Sequence, residues 1–470
     1  MTQIPILNGI YTDNGPDFRT SYPVNMLPVP KTNGISEGYL RPGDGIVANG
    51  SGPGIDRGGI NWNGICYRVM GSKLVSINSS GAVTELGDVD NDYGQVSMDY
   101  SFDLLAIASA GKLFFWNPAT QTLAQNTDPD LGLVLDVVWV DGYFMTTDGE
   151  FLIVTELNDP FSVNPLKYGS SEIDPDPVIA LVKLRNEIYA INRNTIEVFD
   201  NVGGDLFPFQ RINGAQIQKG GVGTFACCVF AETVAYVGSG RNEEPSVYLG
   251  ANATATKIST QEVDELLAQY TEAQLATVKM EARNDRAHQH LYIHLPDMTI
   301  VFDAAATKEL QQPVWFVLTS SLSGFSQYRA RNFVYCYDKW LCSDPQSTSI
   351  GYLVDNISTH WGEKVRWAFG TTILYNGGKG AIINELELVG LTGRVPLGDD
   401  PTISTSYSID GENWSQEKAI SAGKQGQRNK RLVWFQQGWM RNWRIQRFEG
   451  TSDAHIAFAR LEARIEPLGY

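Results

Sequence analysis

The stretch Cys66-Tyr67-Arg68-Val69-Met70-Gly71-Ser72-Lys73-Leu74-Val75-Ser76-Ile77 sets the pattern of the chain. Two short runs of apolar and β-branched residues flank a Gly-Ser turn, which reads as a tight β-hairpin. Similar pairs recur at Leu104–Ala108 with Lys112–Trp116, Val137–Val154, Glu187–Phe199, Val234–Leu249, Leu291–Phe302 and Phe333–Leu353. Recurrence at irregular spacings of roughly 35 to 60 residues is the sequence mark of a degenerate β-propeller of about six or seven blades. Each blade buries both faces against its neighbours, so its strands can be short and strongly apolar.

Outward from this region the character changes at both ends. Residues 1–58 read as an extended, largely irregular N-terminal arm that lies on the C-terminal domain. In Tyr22-Pro23-Val24-Asn25-Met26-Leu27-Pro28-Val29-Pro30 the prolines lack amide donors, so the segment is expected to run over a surface rather than inside a sheet. Residues 59–357 form the expected propeller. Residues 358–470 show cleaner alternation in the runs Lys364–Phe369, Ile382–Leu388, Thr402–Ile409, Arg431–Phe435, Arg441–Phe448 and His455–Glu466, the pattern of an antiparallel β-sandwich. The fold class is thus mainly β, with one short helical insert at 259–281. There Val263, Leu266, Leu267 and Tyr270 fall at i, i+3, i+4 and i+7, and Ser259/Glu262 and Thr271/Gln274 both have capping-box spacing.

The chain has 470 residues, 46 of them Gly, and a net charge of −17. The eight basic residues between Lys418 and Arg447 meet no acidic one, which leaves 28 basic against 53 acidic residues elsewhere, a net of −25. So acidic a surface repels free nucleic acid and anionic membrane. The start, Met1 to Asn8, has neither the basic nor the apolar region of a secretory signal, and the longest apolar stretch, Val222–Val237, contains Glu232 and is too short for a membrane span. The expectation is a soluble cytosolic product whose five cysteines stay reduced, with no membrane insertion.

Candidate chemistry is thin. His288, His290 and His294 share one face of a strand and could hold zinc, but no fourth ligand stands at a telling distance, and a polar strand face explains them as well. Ser408-Ile409-Asp410-Gly411-Glu412-Asn413-Trp414 resembles the Asp-box of sialidase-like propellers with one residue missing; that motif is structural, and this single copy lies outside the propeller. It leaves a carbohydrate-binding or sialidase-like propeller as the alternative function. Gly220-Gly221-Val222-Gly223 lacks the lysine of a phosphate loop and suggests a bulge before a buried strand, and Asp174-Pro175-Asp176-Pro177 reads as a stiff turn. In the basic tract, Trp434, Phe435, Trp439 and Trp443 are interleaved with the cations, as in single-strand nucleic-acid binders, but a hairpin facing an acidic neighbouring subunit is preferred. No catalytic residue, metal site or cofactor is expected.

Several segments together resemble packaged-DNA stabilisation proteins, the tail hub or nozzle of short-tailed bacteriophages. They are Tyr22–Leu27 with Pro30-Lys31, Gly38–Arg41, Tyr67-Arg68-Val69 with Gly71, Lys73 and Leu74, the region from Leu267 through Tyr270-Thr271 to Pro296, Val301–Ala304, Glu385–Glu387, and Arg431 through Trp434 to Arg444. The set is ordered along nearly the whole chain, with departures in loops 155–180 and 390–401. The resemblance implies a non-enzymatic virion tail protein assembled in the host cytoplasm. It implies a homo-hexameric ring that extends the channel below the portal and its adaptor, retains packaged DNA and conducts it during ejection. Its partners would be the tail adaptor, tailspikes or fibres, a needle or plug protein, and double-stranded DNA passing without specific binding. Interface candidates are Pro23, Pro28 and Pro30 toward the adaptor, Glu265 and Gln269 at a subunit seam, and Arg431, Arg441, Arg444 and Arg447 toward protein neighbours.

Overall fold

The backbone pairings sort the strands into seven antiparallel blades, five of four strands and two of five, and two further sheets, in a computed structural model that describes residues 2–7, 22–31, 36–410, 413–451 and 456–469. The hairpin quoted above supplies the second and third strands of blade 1, with Met70 opposite Lys73. Blade 1 spans 56–88, blade 2 97–125, blade 3 136–163, blade 4 178–211, blade 5 220–257 and blade 6 279–318. Blade 7 takes three strands from 331–354 and its outermost from Gly45–Ser51, which pairs with Ser349–Val354.

Blade 7 therefore corrects the reading of the arm as irregular. A sheet with an open outer strand exposes a row of unpaired amides and carbonyls, and here chain from the far end of the sequence covers it. The first strands of the blades touch in sequence, and Arg331–Cys336 of blade 7 meets Asp56–Trp62 of blade 1, so the ring is closed.

Carboxylates on the innermost strands reach across to the next blade. Asp99 of blade 2 accepts the Trp139 amide at 2.7 Å, Asp136 of blade 3 accepts the Leu181 amide at 2.8 Å, and Glu281 of blade 6 accepts the amides of Asn332 and Phe333 at 3.0 and 3.1 Å. At the closure, Asp56 Oδ2 takes Arg68 Nη1 at 2.8 Å, Asn332 Nδ2 at 2.6 Å and Ser343 Oγ at 2.5 Å, all four residues buried. Inner-strand edges would otherwise bury unpaired amides at the seams between blades.

Blade 5 shows what its glycines are for. Its inner strand is split into Gly220–Gly221 and Cys227–Phe230, both paired with Thr233–Ser239. A Cβ on Gly238 would lie 1.6 Å from the Gly220 carbonyl oxygen, so only glycine fits there.

The insert folds as helices Gln261–Ala268 and Glu272–Leu275. Thr271 and Gln274 form the expected capping box. Ser259 and Glu262 do not: the helix begins one residue later, after Thr260, and the Ser259 hydroxyl donates to Asp264 instead. The stripe Val263, Leu266 and Leu267 is buried in a cluster with Phe230, Val247, Leu291 and Ile293, so the insert fills the gap between blades 5 and 6.

The remaining sheets form the sandwich. One has seven strands, including Thr2–Ile4, Met26–Pro30 and Gly38–Pro42 of the arm alongside Ala381–Gly390, Leu432–Phe435, Trp439–Met440 and Phe458–Pro467. The other has five, from Trp367–Gly370, Leu374–Tyr375, Thr402–Ser408, Lys418–Ser421 and Trp443–Gly450. Between them lies a core of Trp367, Phe369, Leu386, Trp434, Phe448 and Phe458. The arm is thus part of this sheet, and Met26–Pro30 holds one of its edges, where Pro28 and Pro30 cost no ladder bond.

Burial pushes the Asp136 carboxyl up to about 6. A raised folded-state value means that the native state holds the proton more tightly. Its stabilising contribution is full below about pH 4 and is lost as pH rises through 6, by at most about 3 kcal/mol. Urea unfolding of the wild type and Asp136→Asn at pH 4, 5 and 7 is expected to show the wild type losing ground to the variant across that window.

Candidate functional site: the seam and the basic tract

Residues 22–25 run between propeller and sandwich and bond to both. The Val24 amide donates to Ala368 O at 2.8 Å and the Ala368 amide returns to Val24 O at 3.0 Å, on the sandwich side. Asn25 N donates to Val317 O and Val317 N to Pro23 O, each at 2.8 Å, on blade 6. The Asn25 side chain repeats this division: Nδ2 donates to Thr319 O at 2.8 Å and Arg366 O at 2.7 Å, while Oδ1 accepts the Thr319 amide at 3.1 Å. Asn25 stands at φ 50°, in the left-handed region that asparagine tolerates better than most residues. Val24, Val317 and Ala368 share one apolar cluster, so the core is continuous across the seam. Tyr22 extends the stitch to the helical insert through a 2.6 Å hydrogen bond between its hydroxyl and that of Thr260.

A buried ionic cluster reinforces the seam. Arg41 and Asp44 of the arm pair at 2.9 Å, Arg283 of blade 6 pairs with Asp44 at 2.7 Å, and Asp285 pairs with Arg41. Burial alone would raise the Asp44 carboxyl; Arg283 and Arg41 outweigh it and hold Asp44 below the usual carboxylate range. Such a cluster adds little net stability over an apolar equivalent, but removing one member strands a charge, so it fixes how the two parts meet.

The interface candidates scatter. Pro23 and Pro28 are buried and only Pro30 is partly exposed, so the arm's prolines face mostly inward. Glu265 is half-buried and accepts a hydrogen bond from Gln261 at 2.9 Å, while Gln269 is exposed. Arg431 is on the surface in a bidentate pair with Glu387, at 2.7 and 2.5 Å. Arg447 lies 4.3 Å over the Trp414 ring and 3.6 Å from Glu449.

Arg444 departs furthest from expectation. It is wholly buried inside the sandwich, 3.7 Å over the Tyr407 ring, with hydrogen bonds to Gln437 O at 2.5 Å and Gln446 Oε1 at 2.7 Å. It therefore cannot face a neighbouring protein. Burial lowers its guanidinium to about 10. Of the eight cations in the tract, Lys418, Lys424, Arg428 and Arg441 are exposed and meet no carboxylate among the described residues; Lys418 donates to Gln436 O at 2.6 Å, and Phe435 and Trp439 are exposed near them in sequence. Trp434, by contrast, is core and donates to Lys418 O at 2.9 Å.

The remaining motifs resolve locally. Asp410 accepts from the Asn413 amide at 2.8 Å and its side chain at 2.7 Å, beside the sandwich strand Thr402–Ser408; Gly411 and Glu412 of the Asp-box-like stretch lie outside the described residues. Asp174 pairs with Arg241 at 2.6 Å and Asp176 accepts the Asn194 amide at 2.5 Å, which makes the Pro-rich turn a clamp on its neighbours. Of the three histidines, His294 turns to Glu281 at 3.0 Å and Thr299 at 2.9 Å, away from the other two.

A propeller stitched to a sandwich through a shared core defines a mainly β protein of two modules. The chain belongs to the bacteriophage P22 Gp10 family: the family's β-propeller matches residues 2–358 and its β-sandwich residues 366–466. It is 29% identical over 461 residues to the tail hub protein gp10 of Salmonella phage P22, across 93% of this chain and 94% of that one. Among solved structures, the Pan2 WD40 domain of Neurospora crassa matches with a TM-score of 0.42 at 9% identity, over 66% of this chain and 95% of that one. PorZ of Porphyromonas gingivalis matches with a TM-score of 0.40 at 11% identity, over 79% and 46%. Neither likeness is close enough to bear on function.

Two contrasts follow from this geometry. Asn25→Ala removes three hydrogen bonds and puts alanine at positive φ, and is expected to cost about 3–5 kcal/mol; Asn25→Gly, which keeps the backbone free, should cost measurably less. Arg444→Ala is expected to cost about 3 kcal/mol, against under about 0.5 kcal/mol for Arg441→Ala. Chemical denaturation of the four variants checks both.

Proposed function

We propose that this protein is the tail hub of a short-tailed phage, a structural ring through which the genome leaves the virion. The observation that carries the reading is the 29% identity to the P22 tail hub protein over 93% of the chain, along both modules. In this reading six copies form a ring below the portal and its adaptor. The ring retains packaged DNA and conducts it at ejection, and its outer surfaces receive tailspikes or fibres and a needle or plug protein.

The physical character of the chain supports the role. A conduit must resist force without flexing between its parts, and the seam supplies backbone bonds, a shared core and a buried ionic cluster for that purpose. It must also pass DNA without gripping it. Outside 418–447 the chain carries 28 basic against 53 acidic residues, and like charge keeps phosphates from sticking to such a wall. The exposed cations whose side chains have no partner among the described residues, Lys424, Arg428 and Arg441, with Phe435 and Trp439, are directed in this reading at an acidic protein neighbour, either a second subunit or the adaptor.

The test is to mix the purified protein with portal–adaptor rings and image the product by electron microscopy. Six-fold rings on the adaptor are expected, and monomers alone would overturn the reading. The triple variant Lys424→Ala, Arg428→Ala, Arg441→Ala is expected to fold and to lose ring assembly. Duplex DNA binding at physiological salt is expected to be absent in both proteins; tight binding that the triple variant abolishes would make the tract a nucleic-acid site instead.

A further inference from the structure

His288 and His290 converge on a carboxylate that sequence spacing does not single out. Asp303 stands directly opposite His290 on the neighbouring strand of blade 6. Its Oδ2 is 2.5 Å from Nδ1 of His288 and 3.3 Å from Nε2 of His290. One ligand atom from each of the three residues lies within 4.8 Å of the other two. The Oδ1 atom is already held by the Ala306 amide at 3.0 Å, which fixes the carboxylate with Oδ2 turned to both rings.

The second observation is His290 itself. It is 1% exposed, yet among the described residues its Nδ1 has no hydrogen-bond partner and its Nε2 meets only the Asp303 carboxylate, at a long 3.3 Å. Buried imidazole nitrogens are ordinarily paired, and leaving them unpaired costs free energy. The nearby guanidiniums do not forbid a cation. Arg283 is matched by Asp44 at 2.7 Å, and Arg41 by Asp44 and Asp285, so the charge that remains is that of Asp303.

We propose that His288, His290 and Asp303 form a site for a divalent transition cation of the zinc type. Two imidazole nitrogens and one carboxylate oxygen are three protein ligands of the kind zinc takes, with solvent in the fourth position. Cations that require oxygen ligands alone, such as calcium, are poorly served. The ion replaces the proton shared between His288 and Asp303, which moves to Nε2 of His288 or to water. The two atoms must separate to roughly 3.3 Å to share an ion about 2.0–2.2 Å from each, a movement open to His288, whose side chain is 16% exposed. The bound ion would join strands His288–His294 and Thr299–Asp303 beside the helix Ala304–Leu310, which touches the arm strand Met26–Pro30, and so would brace the seam.

The test uses tag-free full-length protein, stripped with a chelator and dialysed, then titrated with Zn2+ and separately with Co2+. One bound zinc per chain is expected, with a melting temperature that rises with zinc concentration and visible absorption from four-coordinate cobalt. Asp303→Asn keeps a good helix cap, and His288→Gln alters a partly exposed ring. Each is expected to weaken zinc uptake at least tenfold; if Asp303→Asn does not fold, His288→Gln decides. Absence of stoichiometric uptake by the wild type, or uptake unchanged in the variants, overturns the proposal. Neither result depends on ring assembly.

Discussion

The structure depends on the way four residues, Tyr22 to Asn25, satisfy their backbone. A segment buried between two modules must find partners for its amides and carbonyls, since water is excluded. Here Val24 bonds to the sandwich, Pro23 and Asn25 to blade 6, and the Asn25 side chain to both. Neither module can shift against the other without breaking several of these bonds at once. Because Val24 belongs to the same apolar cluster as Val317 and Ala368, the polar stitch and the hydrophobic contact fail together.

The chain uses its ends in the same way elsewhere. Gly45–Ser51 closes blade 7, and Met26–Pro30 and Gly38–Pro42 extend the sandwich sheet. One N-terminal segment thus closes the ring, widens the sandwich and crosses between them. Charge is spent on the same task. Asp56, Asp99, Asp136 and Glu281 bind across blade boundaries, and Asp44 with Arg283 binds arm to blade. A strongly acidic chain therefore buries part of its acid as internal ties.

Hairpins such as Cys66–Ile77 were legible because their pairing is local: the turn and the period-two pattern lie within a dozen residues. The Thr271/Gln274 capping box was legible for the same reason. The arm was not. Its prolines and glycines signal irregular chain locally, and its partners, Ser349–Val354 and Phe458–Pro467, lie hundreds of residues away. Arg444 could not be told from Arg441 by composition, although one is buried on Tyr407 and the other is exposed. The histidine group was half legible. The strand put His288, His290 and His294 on one face, but cross-strand register brought Asp303 to the first two and gave His294 to Glu281.

By itself the sequence determined a mainly β chain of propeller and sandwich, the helical insert, the concentration of positive charge near the C-terminus and the resemblance to phage tail hubs. These depend on composition, short-range periodicity and ordered motifs, all carried by neighbouring residues. Only the tertiary structure decided the count of seven blades, the closure of the last by the N-terminal arm, the stitch through Asn25, and which cations of the basic tract remain at the surface. Each of these rests on contacts between residues far apart in sequence, where burial and pairing are settled by the whole fold rather than by the local chain.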